Sequence, residues 1–368
     1  MSIRNLYFIG QCLSLDEHPS FRETIIEQFS KQDYDWDDFI WTCSNHLIIP
    51  TIYLKFRTYD LLSYLPEQIA QHIREIYEIN RDRNEQILLQ MKEITVALNS
   101  GGISPIFLKG TGNLIDGLYS DVGERIIGDI DILVPDIDYL KSVALVNEIG
   151  YLDHWEEPRN PEKMVHYPRL YKYNVPADLE IHRIPTENKD LKYLNAEMIY
   201  RNKQEIAGFP GCFIPSIEHR IIHNFVHSQL SNAGHRLGVV SLRDIYDFFL
   251  LSKRGDISSI INNISCKKKV FAYLTIEQEL LGLPITEKPT LSSRFYIWKH
   301  DLNLSSSAFY HFNRIPWVIS GMIFHGYPKE IKEALISKDA RQSLIHRLGN
   351  KKWYFQHFRL IKKSIIGH

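Results

Sequence analysis

The chain has 368 residues, 44% of them hydrophobic and 24% charged, with a formal net charge of −1. This is the make-up of an ordinary globular protein of two or three domains, and the near-zero charge argues against a global field for nucleic acid, leaving only local patches. The four cysteines, Cys12, Cys43, Cys212 and Cys266, lie far apart without a Cys-x-x-Cys pair, so neither a zinc ribbon nor a disulfide framework is suggested.

The opening residues, MSIRNLYFIGQCLSLDEH, contain a short apolar stretch but no signal-peptide core or cleavage site. Residues 1 to about 98 read as helical, with amphipathic pieces around Trp36 to Trp41 and Leu47 to Tyr53. Pro66 then opens a long helix in which Ile69, Ile73, Ile76, Ile87, Met91, Ile94 and Leu98 make one stripe. Asn80, Arg83 and Asn84 interrupt that stripe. On the plainer reading the helix runs past the edge of the core there; on the other, Arg81, Arg83 or Asn84 faces a bound ligand. Gly101 and Gly102 end the helix.

Ile103 to Pro135 reads as strand, turn, short helix, loop and second strand. The apolar run Ile103, Pro105, Ile106, Phe107, Leu108 stops at the turn signal Lys109-Gly110. The second strand, Ile126 to Val134, carries Asp129 and Asp131 in otherwise apolar sequence. Residues two apart on a strand share a face and lie about 6.5–7 Å apart along it. Two such carboxylates repel each other and are costly to bury without a partner. Either their face opens to water, as at a sheet edge, or a cation sits between them; hard oxygen ligands suit Mg²⁺.

A helix over Ile137 to Ile149 follows, with Leu140, Val143, Ala144 and Val146 inward and Gly150 at its end. Tyr151 to Trp155 and Val165 to Tyr173 look like strands, and Val175 to Asp178 like a turn into Leu179-Glu180-Ile181-His182. On that last strand Glu180 and His182 share a face. Placed beside the Asp-x-Asp strand, Glu180 completes a three-carboxylate cluster, with Asp178 as the other candidate on the same face.

Beyond residue 186 the chain is again mainly helical. Ser216 caps a helix on which His219, His223 and His227 share one face. The glutamate of a helical HExxH zinc motif is missing, so a polar face near a cleft is the better reading. In the next helix Arg243 and Asp244 either reach a substrate or form a surface salt bridge. The stretch Trp317 to Phe324 is far shorter than the roughly 20 residues a membrane span needs. From Lys338 onward there are eight Lys or Arg against one acid, Asp339, with Trp353, Tyr354, Phe355 and Phe358 interleaved. This suggests either RNA, a phosphorylated acceptor or an anionic surface as partner, or a docked amphipathic helix with a solvated basic face.

Leu108-Lys109-Gly110, Arg125, the run Gly128-Asp129-Ile130-Asp131-Ile132-Leu133-Val134 and Leu179-Glu180-Ile181-His182 together resemble the nucleotidyltransferase superfamily, with its polymerase-beta-like core. The nearest likeness is to a bacterial group known only as nucleotidyltransferase family proteins, over roughly residues 70 to 250. The resemblance implies an α+β fold, with a small mixed sheet at 101–185 between an N-terminal helical region, 1–100, and a C-terminal one, 186–368. It further implies Mg²⁺-dependent transfer of a nucleoside monophosphate from a nucleoside triphosphate (NTP) to an acceptor hydroxyl.

In such an enzyme Asp129 and Asp131 would bridge two Mg²⁺ ions and Glu180 would hold the acceptor-side ion. Lys109, Gly110, Arg125 and His182 would meet the nucleotide. The pair Lys109-Gly110 departs from the superfamily's usual Gly-Gly or Gly-Ser. The acceptor is not legible. Two alternatives remain: a nucleotide-binding module without turnover, and a toxin-type enzyme that adds nucleotides to tRNA through the basic C terminus. The expected location is the cytoplasm, where ATP, GTP and Mg²⁺ are available.

Overall fold

The computed structural model describes residues 3–153, 164–284, 288–321 and 327–350, with 352–355, 359 and 362 beyond them. Four short helices open the chain: α1 (Ile3–Leu13), α2 (Phe21–Phe29), α3 (Trp36–Asn45) and α4 (Ile49–Thr58). Helix α5 (Glu67–Ser100) has 34 residues and so spans about 50 Å. There follow β1 (Ile106–Phe107), α6 (Lys109–Ile115), β2 (Asp129–Leu133), α7 (Tyr139–Glu148), β3 (Leu152–Asp153), β4 (Leu170–Tyr171) and β5 (Asp178–His182). After α8 (Ala196–Arg201) come β6 (Gln204–Glu205) and β7 (Phe213–Ile214). Helices α9 (Ile217–Phe225), α10 (Gly234–Leu237), α11 (Leu242–Ser252), α12 (Ser258–Asn263) and α13 (Lys267–Leu281) lead to α14 (Leu291–Ser305). One compact unit ends at Ile297, and a second begins at Trp298. The fold is α+β.

Among the described residues the sheet has seven strands in the order β3-β4-β5-β2-β1-β7-β6. Its last two strands come from beyond residue 186. At its centre β2 and β5 run parallel, with Asp129 opposite Asp178, Asp131 opposite Glu180 and Leu133 opposite His182. Strand β1 is antiparallel to β2 and parallel to β7, so the sheet is mixed. Ile130, Ile132, Leu179 and Ile181 are fully buried, as strand alternation requires of the face opposite the acids.

Helix α5 holds the approach to β2. Its polar interruption does not lie past the core edge: Asn80 and Asn84 are buried. Asn80 Nδ2 donates to Gly123 O (2.7 Å), and Asn84 Nδ2 to Val122 O and Arg125 O (2.7 Å each). Arg83 donates to the carbonyls of Ile127 and Pro176. Buried carbonyls of an irregular loop need donors, and amides one helical turn apart supply them. The loop comes close enough for this because Gly123 has no side chain; a Cβ there would lie 2.7 Å from Arg81 Cβ.

In α7 the buried stripe is Tyr139, Ser142, Val143 and Val146, while Leu140 is 47% exposed. The apolar face expected at Leu140 and Ala144 is thus shifted by one residue. The shift lets Ser142 bury by donating to Asp138 O within the helix.

The second unit continues through α15 (Ser307–Gly321), α16 (Tyr327–Ile336) and α17 (Lys338–Gly349). Ser337 caps α17, and Arg341 donates back to Ala334 O and Leu335 O, which closes the α16–α17 hairpin. Of the basic C-terminal segment, Lys352, Arg359 and Lys362 are exposed; Lys351, Phe358 and Lys363 lie outside the described residues, as do His154, Trp155 and Phe324. No described helix is long and apolar enough to cross a membrane.

Candidate active site

Lys109 joins β1 to α6 with its backbone in the left-handed region, at φ 50°. A side-chain-bearing residue is uncommon there, and such strain persists only where its surroundings hold it. Gly112 fixes the approach of α6, because a Cβ at that position would lie 2.5 Å from Phe107 O. The result places Lys109 Nζ 2.6 Å from Asp131 Oδ1. From β5, His182 Nε2 reaches the same oxygen at 2.8 Å.

Asp131 is buried, and burial alone would raise its pKa. Lys109 and His182 outweigh that and hold it well below the usual carboxylate range. For His182 burial works toward the neutral form, but its contacts with Asp131 and Glu180 prevail and raise its pKa. The parallel register accounts for this meeting. Asp131 and Glu180 are cross-strand partners on one face, and His182 is the next residue on that face of β5.

Asp129 and Glu180 share a different cation. Arg169 Nη2 lies 2.8 Å from Asp129 Oδ2 and 2.8 Å from Glu180 Oε1. Burial would raise Glu180; His182 and Arg169 bring it down to about 2. Asp129 goes the other way, raised first by burial and then by the like charges of Asp131 and Glu180.

Ligand atoms of Asp131, Glu180 and His182 all lie within 4.8 Å of one another, and Asp129 stands beside this group. Carboxylate oxygens are the donors a hard divalent cation takes, so the donor set fits Mg²⁺. His182 is already engaged by Asp131.

Lys109 also lines a cavity between α6, α9 and α11, together with Gly110, Arg125, His223, His227 and Arg243. A π-helical turn, Val226–Ser231, continues α9 and sets the His227 ring 6.2 Å from that of His223. Burial, then the nearby charge of Lys109, lowers the pKa of His227 to about 4. His223 is lowered too, by burial first and then by His227 and Lys109. Both imidazoles are therefore neutral at pH 7.

Arg125 borders the cavity, but its guanidinium is held by Asp247 of α11, with Nη2 to Oδ2 at 2.9 Å. The acids nearer to it in sequence are engaged elsewhere. Asp121 accepts from Tyr77, and Glu124 from Tyr246. Tyr119 also donates to Asp247 (2.9 Å), so α11 as well as α5 fixes the loop before β2.

A protein family described as an uncharacterised nucleotidyltransferase matches residues 32–282. The chain belongs to this nucleotidyltransferase family. No curated protein matches it. The family match takes in the whole sheet and helices α3 to α13, and hence every residue of the acid cluster and of the cavity.

Two residues of this nucleotidyltransferase that the sequence did not single out are Arg169 and Asp247. Leu170 of β4 pairs antiparallel with Leu179 of β5, and that register brings the preceding residue, Arg169, across from Glu180. Nothing local in the sequence marks that pairing.

Proposed function

We propose that the protein is a Mg²⁺-dependent nucleotidyltransferase that moves a nucleoside monophosphate from an NTP to an acceptor hydroxyl. The observation that carries this reading is the parallel register that sets Asp131 beside Glu180, with Asp129 on the same face. Asp129, Asp131 and Glu180 would hold Mg²⁺, which when bound offsets the charge developing on the attacking and leaving oxygens.

The rest falls to the chain's own groups. Lys109 pairs with Asp131 and also lines the cavity, so its ammonium would meet a phosphate bound there. His182 fixes the orientation of Asp131. Arg243 and the backbone at Gly110 face the cavity, which takes the triphosphate, and pyrophosphate leaves along it. Arg125, tied to Asp247, borders the cavity and keeps the loop before β2 in place. Asp129 is the most exposed of the three acids, and the acceptor approaches from its side.

The test is incubation with labelled NTPs, Mg²⁺ and pools of candidate acceptors, including tRNA. Label transferred by the wild type and lost in an Asp129→Ala/Asp131→Ala variant supports the reading. Equal transfer by both removes it. A second reading, a binding module without turnover, is favoured by the pairing of all three carboxylates with cations of the chain itself. It predicts nucleotide binding in calorimetry without release of pyrophosphate.

A further inference from the structure

Each acid of the cluster already holds a cation supplied by the chain. Asp131 has Lys109 and His182, while Asp129 and Glu180 share Arg169. The two arrangements differ in kind. Lys109 and His182 are mostly buried, and their contact atoms converge on one buried oxygen. Arg169 is 49% exposed, precedes β4, and spans two strands to reach one oxygen on each acid.

A divalent cation coordinates through the same lone pairs that Arg169 now occupies. The guanidinium and the ion therefore compete for Asp129 Oδ2 and Glu180 Oε1. The side chain is long and exposed, so it can swing into solvent without moving the sheet. Without some cation, Asp129 and Glu180 would repel each other, since they face one another across a diagonal of the parallel pair.

We propose that Arg169 is a resident counter-ion of the acid cluster: it keeps Asp129 and Glu180 together before metal arrives and is displaced when the metal binds. This rests on reading the three carboxylates as metal ligands. It assigns Arg169 a positioning role that works against metal affinity, which a purely structural arginine would not do.

The test is titration of the nucleotide-free protein with Mn²⁺ and with Mg²⁺ by calorimetry, comparing wild type, Arg169→Ala and Asp131→Asn. Circular dichroism establishes that each variant is folded. The expected result is Mn²⁺ binding about three- to tenfold tighter in Arg169→Ala, because no ion pair has to be broken, and loss of binding in Asp131→Asn. Weaker binding in Arg169→Ala would mean that the arginine only props the acids, and overturns the proposal. Unchanged affinity in Arg169→Ala with loss in Asp131→Asn overturns it too, while leaving the metal-site reading in place. If no protein of the three binds either ion at millimolar concentration, both fall.

A second readout is the arginine Nε–H signal of Arg169 in the wild type. It is expected to shift on Mg²⁺ addition, and constancy at metal saturation counts against displacement.

Discussion

Lys109 Nζ and Asp131 Oδ1 lie 2.6 Å apart, and the lysine makes this contact from a left-handed backbone at φ 50°. The pair is nearly closed off from solvent, with Asp131 at 4% and Lys109 at 26% side-chain exposure. Removing one partner of such a pair leaves the other charge poorly compensated, at roughly 3–5 kcal/mol when nothing else remains. Here His182 remains. Lys109→Met is therefore expected to lower stability by about 2 kcal/mol, read from urea denaturation, and to weaken NTP binding in calorimetry. An unchanged urea midpoint would show that the pair contributes nothing.

Stability should fall on mild acidification because of the cavity histidines. The folded pKa of His227 lies at about 4, and that of His223 is depressed as well. Their unfolded value is about 6.5. Between these limits the unfolded chain binds more protons than the folded one, so stability is lost as pH falls, by up to about 1.4 kcal/mol per pH unit for each proton. His182 works in the opposite sense. Its pKa is raised, so its contribution is complete below about 6.5 and is lost only as pH rises. A His223→Gln/His227→Gln variant should lose less stability than wild type between pH 6.5 and 4.5. Parallel curves for the two proteins would assign the acid sensitivity elsewhere.

The clamp from α5 gives a prediction about the loop before β2. Asn84 Nδ2 serves two carbonyls, Val122 O and Arg125 O, from a fully buried position. Asn84→Ala leaves Val122 O without its donor and Arg125 O with Asn80 Nδ2 alone, at about 1–3 kcal/mol. The loop carries Arg125 into its pair with Asp247, so hydrogen exchange at residues 122–125 should quicken in this variant as its melting temperature falls. Unaltered exchange there would mean that Asn80 and the Arg125–Asp247 pair hold the loop without Asn84.

The parts of this molecule readable in sequence were those with a local period. Asp129 and Asp131 stood out because alternation put two charges on one face of an apolar strand, and Glu180 and His182 for the same reason. That β2 and β5 are neighbours came only from family resemblance, since strand pairing leaves no local trace. Polar residues at core positions were misread for a related reason. Asn80 and Asn84 look like a break in an apolar stripe, and their partners are carbonyls about 40 residues away, at separations of 43 and 41 for Gly123 and Arg125. Asp247 pairs with Arg125 across 122 positions, beyond the reach of any short-range rule. Where a buried polar group meets a distant one, periodicity carries no signal.

Glu277 offers a test away from the site. It lies on α13, is fully buried, and its carboxyl oxygens make no hydrogen bond of good geometry among the described residues, with Tyr273 close enough to offset the burial only in part. Burial raises its pKa well above the ordinary value. The unfolded chain ionises this group from about pH 4.3 upward, whereas the folded one resists, so its contribution to stability is lost as pH rises through that window. Glu277→Met keeps the volume and removes the polar group. At pH 8 the variant should be about 1–3 kcal/mol more stable than wild type, with the difference shrinking toward pH 4. Urea midpoints at the two pH values decide the matter: a variant no more stable at pH 8 would mean that the carboxylate has solvent or a partner to hold it.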